Sequence, residues 1–160
     1  MIKISEYVYN QIQRVEANQN IILNNSIPCN KGYVLHRNES GIVILRGIVN
    51  SNCGCFARYQ VTFNGNIAVP SDGVVGPIAV ALAIDGEPLQ TSRAIVTPAA
   101  VATDPPTAEG FFNVTSTAII TVPRGCCFSV AVENVSPAPA GGVAPAILVQ
   151  NANLTVTRIA

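Results

Sequence analysis

Charge is what this chain has least of. Lys, Arg, Asp and Glu make up 11% of its 160 residues, against roughly a quarter in an ordinary soluble domain. The nine basic and nine acidic residues cancel. No long-range field exists to draw in nucleic acid or an anionic membrane surface, so neither is an expected partner. Tryptophan is absent and aromatic residues reach only 6%, few for a carbohydrate-reading surface. No apolar run approaches the ~18 residues of a membrane helix, and the N-terminus lacks the apolar core of a signal peptide. With one histidine in the chain, a cupin-type metal site, which takes several histidines and a glutamate, has no ligands.

What remains is β-branched. Val and Ile number 37 against 7 Leu, and Gly and Pro total 23. Such side chains suit pleated sheets, and so many breakers punctuate a chain of short segments. The length fits one domain with a short extension.

That extension is residues 1–15. Ile4, Val8, Ile12 and Val15 recur at a spacing that places them on one helical stripe, with Ser5 available as a cap. A helix this short does not persist alone in water, so the stripe is expected to need a partner surface. The plainer alternative is a helix or strand folded back on its own domain. The expected organisation is an N-terminal anchoring arm over 1–15 and a β domain over 16–160, beginning near Asn20 and independent of the arm.

From Asn20 onward, runs such as Ile21–Leu23 and Ile42–Leu45 are bounded by Asn, Gly and Pro. Arg58–Asn64 alternates, with Tyr59, Val61 and Phe63 facing one way and Arg58, Gln60 and Thr62 the other. Ile78–Ile84 carries Ile78, Val80, Leu82 and Ile84 on one face and Ala79, Ala81 and Ala83 on the other. A second sheet or another subunit can approach so small a face closely, and a symmetric subunit contact is expected there. Asp85-Gly86 signals a turn. Residues 91–110 predict a long loop. Phe112–Val122 and Phe128–Val132 predict a strand pair across Pro123-Arg-Gly125, 137–145 a second loop, and 146–159 a last strand interrupted at Asn151-Ala-Asn153. About eight antiparallel strands with uneven loops predict an all-β, two-sheet jelly-roll sandwich.

Chemistry is sparse. His36 stands apart from any Gly-x-Ser-x-Gly elbow, and the scattered acids form no catalytic pair. Cys53-Gly-Cys55 and Cys126-Cys127 lack the two-to-four-residue ligand spacing of zinc knuckles. Adjacent strand positions 126 and 127 point to opposite faces. No Asp-rich calcium loop exists. The main expectation for Cys29, Cys53, Cys55, Cys126 and Cys127 is burial as small hydrophobes; a disulfide joining Cys53 or Cys55 to Cys126 or Cys127, and a metal site, are the alternatives. An odd cysteine count without a leader argues against a secreted disulfide framework and for folding in a reducing cytoplasm. The Asn-x-Ser/Thr triplets at Asn24, Asn38, Asn113, Asn134 and Asn153 are expected as ordinary turn and strand residues. No catalytic residue, metal or cofactor is expected.

Five segments carry a family resemblance, in order: Val15–Asn24, with an Asn before an apolar run; Ala57–Phe63, with an aromatic two residues before a Val; Ile78–Pro88, ending in a Gly-x-Pro turn; Ala118–Gly125; and Leu154–Ile159. Together they resemble the compact bacterial and phage relatives of the tumour necrosis factor-like and complement-head jelly rolls. Gly65–Pro70, Ala83–Pro88, Ile95–Val101 and Val149–Leu154 also resemble structural proteins of phages and prophages infecting Firmicutes. The first resemblance implies a homotrimer used for binding or structure, not catalysis. There is no collagen-like Gly-x-y stalk, which counts against a spore-filament tip. The resulting expectation is a homotrimeric capsid decoration protein on the virion surface, made in the host cytoplasm and held to the major capsid protein or another virion component through Ile4, Val8, Ile12 and Val15. The alternative is a cell- or spore-surface module recognising glycan or protein through loops 91–110 and 137–145.

Overall fold

The structure is a computed structural model that describes residues 3–27, 32–37, 39–103, 107–108 and 110–160. The expectations for Cys29 and Asn38 fall outside those residues, as does part of the 91–110 loop. In chain order the strands are β1 (Lys3–Tyr9), β2 (Gln13–Val15), β3 (Asn25–Ile27), β4 (Val34–His36), β5 (Val43–Arg46), β6 (Phe56–Ala68), β7 (Ile78–Ile84), β8 (Glu87–Pro88), β9 (Ala94–Val96), β10 (Ala100–Val101), β11 (Thr107–Ala108), β12 (Phe112–Pro123), β13 (Cys127–Asn134) and β14 (Ile147–Arg158). A single 3-10 turn at Gln90–Ser92 precedes β9. There is no α-helix among the described residues.

Two antiparallel sheets face each other. The first runs β12-β6-β14-β1-β3, with β2 pairing β14 beyond the end of β1. The second runs β4-β5-β13-β7-β8, with β9 also on β7; β10 and β11 make a small separate ribbon. This is the expected two-sheet jelly-roll sandwich. The alternation in β6 decides its orientation: Tyr59, Val61 and Phe63 are wholly buried, while Arg58, Gln60 and Asn64 are exposed. β12 alternates likewise, and β14 contributes Ile147, Val149, Leu154 and Val156 to the same core. From the second sheet come Val43, Leu45, Ile78, Val80, Leu82, Val130 and Val132.

Local chemistry sets the turns. Asp85 and Gly86 both have positive φ, at 51° and 82°, the geometry of a two-residue hairpin, and Ile84 pairs Glu87 across it. In β14 the register shifts between Gln150 and Asn153, with Asn151 at φ 53°; Asn tolerates this left-handed conformation better than most residues.

Four expectations are corrected. The described part of the expected 1–15 arm, residues 3–15, is neither a helix nor a separable arm: Lys3–Tyr9 pairs with Arg158–Ala152 over its whole length, and Gln13–Val15 pairs with Val149–Ile147. A spacing of four is even, so Ile4 and Val8 share a face in a strand as they would in a helix. The intervening Ser5 and Tyr7 fill the interior, each 1% exposed. The β domain therefore starts at β1, not near Asn20. The Ala79, Ala81 and Ala83 face is closed within the chain, none of the three being more than 1% exposed. Their cross-strand neighbours on that face, Ala131 and Glu133 from β13 and Ile95 and Pro88 from β9 and β8, flank the alanine methyls on both sides. No subunit contact is available there. Within 91–110, Ala94–Val96 is a strand edge on β7, so the loop proper begins after it. Finally, β12 and β13 lie in different sheets, and Pro123-Arg-Gly125 carries the chain from one to the other.

The carboxyl of Glu133, almost buried opposite Ala81, is pushed up from the usual carboxylate range by desolvation. A raised folded-state value means the group favours folding when protonated and penalises it increasingly as pH rises through its titration. Glu133→Gln is expected to raise the thermal midpoint at pH 7, with the gain vanishing below the carboxylate range in melts at several pH values. A chain lacking residues 1–15 loses two strands from β14 and the buried Tyr7 and Val15. It is expected to show no cooperative melt by circular dichroism.

Candidate functional site

Lys3 pairs with Arg158, and the amide of Arg58 donates to the Ala160 carbonyl at 2.9 Å. Lys3, the first described residue, and Ala160 therefore lie where β6 begins. β6 and β1 run away from that end, and the connections over 69–77, 97–103 and 135–146 gather at the opposite, distal end. There the structure opens a cleft of about 350 Å³, lined by Arg14, Pro70, Asp72, Val74, Val143 and Pro145 among others. A smaller hollow of about 100 Å³ continues it past Pro77 and Pro137. Prolines at 70, 77, 137, 139 and 145 form much of the wall; their fixed φ gives rigid walls without α-helix or sheet ladder. Val74 and Val143 stand 74% and 87% exposed at its mouth.

One ion-pair cluster rims this cleft. The Arg14 guanidinium donates to Asp72 Oδ1 and to Glu16 Oε1, each at 2.8 Å. That contact holds the Asp72 carboxyl below its usual range and raises the guanidinium further. All three side chains are well exposed, so the pairs orient the 69–77 loop more than they stabilise the fold.

The cleft's base is held from beneath by Asn134, which is wholly buried. Its Nδ2 donates to the Val15 carbonyl at 3.1 Å and to the Pro145 carbonyl at 2.9 Å. Its Oδ1 accepts from the Ser136 hydroxyl at 2.6 Å and the Ser136 amide at 3.0 Å. Ser136 Oγ in turn accepts from the Ala79 amide at 3.0 Å. One amide thus fixes the strand bearing Arg14, one cleft wall and the start of β7.

The second candidate surface is the outer face of the first sheet. Register places Ile119, Gln60, Thr157 and Ile4 in one cross-strand row; Thr117, Thr62, Thr155, Glu6 and Ile27 in the next; and Thr115, Asn64, Asn153, Val8 and Asn25 in the third. Glu6 is the only ionisable side chain in those rows, and it accepts from Asn153 Nδ2. Thr117 donates its hydroxyl to Thr62 at 3.2 Å, and Asn113 Nδ2 donates to Asn64 Oδ1 at 2.7 Å and to Asn66 Oδ1 at 3.1 Å. Ile4, Ile119 and Ile27 are 53%, 64% and 63% exposed.

The four residues expected as an anchoring stripe are divided. Ile4 and Val8 belong to this sheet face, Ile12 is exposed in the turn between β1 and β2, and Val15 is core. Ala79, Ala81 and Ala83 contribute to neither surface. His36 has its Nε2 3.0 Å from the Ser40 carbonyl and its ring packed on Tyr7 at 4.8 Å. No group of three or more His, Cys, Asp or Glu among the described residues is placed to hold a metal ion. Residues of the 137–145 loop line the distal cleft, but Arg14, Asp72, Asn134 and Ser136 had no sequence motif to mark them.

No protein-family model and no curated protein sequence matches the chain. Solved structures do. The Eiger TNF of S. frugiperda matches with a TM-score of 0.64 at 11% identity, covering 99% of this chain and 93% of that one. Murine APRIL matches at 0.60 with 11% identity, covering 99% and 100%. The globular domain of the zebrafish complement 1qA protein matches at 0.55 with 11% identity, covering 99% and 97%. At such identities the likeness establishes the fold: this chain is a jelly roll of the tumour necrosis factor and complement-head type.

Asn134→Ala removes both donors and one acceptor from a dry site. It is expected to cost about 2–4 kcal/mol in urea unfolding. Asp72→Asn, at the exposed rim, is expected to leave the urea midpoint almost unmoved while weakening protection of the 69–77 amides in hydrogen exchange.

Proposed function

We propose that this chain is a non-enzymatic binding and structural module that works as a homotrimer, and that its setting is the surface of a phage virion, as a capsid decoration protein. The observation that carries the trimer is the first sheet's outer face. Three successive cross-strand rows of Thr, Asn, Gln, Ile and Val with one acid form a broad surface whose removal from water costs little electrostatically. A second copy offers the same uncharged, hydrogen-bonding surface, and rotational symmetry closes the set. The resemblance of the jelly-roll segments to trimeric relatives supports the same count.

The virion setting rests on the likeness of Gly65–Pro70, Ala83–Pro88, Ile95–Val101 and Val149–Leu154 to phage structural proteins. Contact with the major capsid protein or another virion component is then a property of the assembled domain. Ile4 and Val8 act as part of the sheet face, because Lys3–Tyr9 and Gln13–Val15 are built into the fold. Manufacture in the host cytoplasm belongs to the same reading. A cell- or spore-surface module is the second reading. The distal cleft favours it, since rigid Pro and Val walls beside one ion pair suit a peptide segment or a ring face.

Sedimentation equilibrium at low micromolar concentration is expected to give three times the chain mass of 16.7 kDa. Ile119→Lys, at a site exposed in the single chain, is expected to leave the circular dichroism melt intact and shift the protein to monomer. A wild type that sediments only as monomer overturns the trimer. Mass spectrometry of purified phage particles from the source is expected to find the chain in stoichiometric amount. Its absence from particles, with binding of purified trimer to cell or spore surfaces, favours the second reading.

A further inference from the structure

Four of the five cysteines lie together at the end opposite the cleft, and all four are exposed free thiols. This corrects the expectation that they pack as core residues; cysteine is among the most buried residue types, so four open thiols in one place are unusual. Cys53 and Cys55 sit in the 47–55 connection between β5 and β6, and Cys126 and Cys127 at the crossing from β12 to β13. The two segments are tied backbone to backbone. The Arg124 amide donates to the Cys55 carbonyl at 2.9 Å, the Gly47 amide to the Cys126 carbonyl at 2.8 Å, and the Gly125 amide to the Gly47 carbonyl at 3.0 Å. Gly47 permits this approach: a Cβ there would meet the Pro123 carbonyl oxygen at 1.9 Å.

Register narrows the pairing. β6 and β12 pair Phe56 with Pro123, and the Arg124 amide on the Cys55 carbonyl carries that ladder one residue further; the turn closed by the Cys126 amide on the Pro123 carbonyl then brings Cys126 beside Gly47, at the other end of the same connection. Cys55 keeps the parity of Ala57 and Tyr59, and Cys126 that of Phe128 and Val130. Both positions therefore share the inward parity of the strands they precede, while remaining exposed at the sandwich's open end. Cys127 has the opposite parity, on the outer side of the second sheet opposite Arg46.

We infer that Cys126 and the Cys53-Gly-Cys55 loop form an oxidisable dithiol site, whose oxidised form is a disulfide joining the 47–55 loop to the β12–β13 crossing. The reaction partner is a low-molecular-weight disulfide such as oxidised glutathione. One thiolate of the pair attacks a glutathione sulfur, the glutathione disulfide breaks, and one glutathione leaves as thiolate. The thiolate across the gap then attacks the protein sulfur of the mixed disulfide and releases the second glutathione. Two protein thiols are oxidised, and one glutathione disulfide is reduced to two thiols.

The test treats the dilute full-length protein with oxidised glutathione and maps its non-reduced tryptic peptides. The expected product is a chain lighter by two hydrogens in which peptide 47–58 is joined to peptide 125–158. It should melt roughly 10 °C higher than the reduced chain, reversibly with dithiothreitol. Cys126→Ser is expected to abolish both the link and the shift, and Cys127→Ser to keep both. Links only between chains, glutathione left as a stable adduct on both segments, thiols that stay reduced, or a link lost in Cys127→Ser and kept in Cys126→Ser would each overturn the assignment.

Discussion

A single buried amide holds the two sheets and the distal loops in one arrangement. Asn134 ends β13 in the second sheet, yet its side chain reaches the Val15 carbonyl in the first, and through Ser136 it reaches the start of β7. Backbone bonds run alongside: the Asn18 amide donates to the Asn134 carbonyl and the Asn134 amide to that of Gln19, at 2.9 and 3.0 Å. Apolar packing supplies most of the burial energy but is indifferent to small slips of one sheet over another. Hydrogen bonds in a dry site are not, because a slip leaves donors unpaired at full desolvation cost. The network converts a packed pair of sheets into one with a fixed offset. The position of Arg14 over the cleft follows from that offset.

The molecule divides its chemistry between its ends. Distal connections are rich in proline and valine, carry the ion pair at Arg14, and offer shape with little reactivity. The other end gathers the chain termini, four thiols and the aromatic cage in which Arg158 stacks over Tyr33 at 4.3 Å. There the Tyr59 hydroxyl donates to the Arg46 carbonyl at 2.5 Å, and burial raises its pKa above the ordinary phenol value. Between the ends lies a wide face almost without charge. A scarcity of charge in the whole sequence thus resolves into one concentrated plane, with most arginines displaced to the rims.

Much of the fold was evident from periodicity. Strict alternation from Arg58 to Asn64 fixed the inner and outer faces of β6, and Asp85-Gly86 marked the β7–β8 hairpin, since both are features a strand writes locally. The first strand was obscured because four is a multiple of two. Ile4 and Val8 satisfy helix and strand equally, and Tyr7, the decisive interior side chain, looks polar enough to be a surface residue. Ala79, Ala81 and Ala83 misled for a different reason: a small face predicts a close neighbour but not whether that neighbour is the same chain. The cleft was beyond local reasoning altogether. Arg14 and Asp72 lie 58 positions apart, and only the order of strands in the sheet brings them within reach.

The pairing of Lys3 with Arg158 carries a mechanical consequence. β1 and β14 are antiparallel, with Lys3 and Arg158 at the same end of the pair, so tension applied between those two residues opens the pair from Lys3 inward, one hydrogen-bonded step at a time. That is the peeling geometry, in which each bond meets the load singly; a shearing geometry would make all seven residue pairs share it. Load carried through one terminus and the broad sheet face does not act along that seam. As a tethered object the domain is therefore anisotropic: robust when held by one end and its flank, and weak when stretched between its ends.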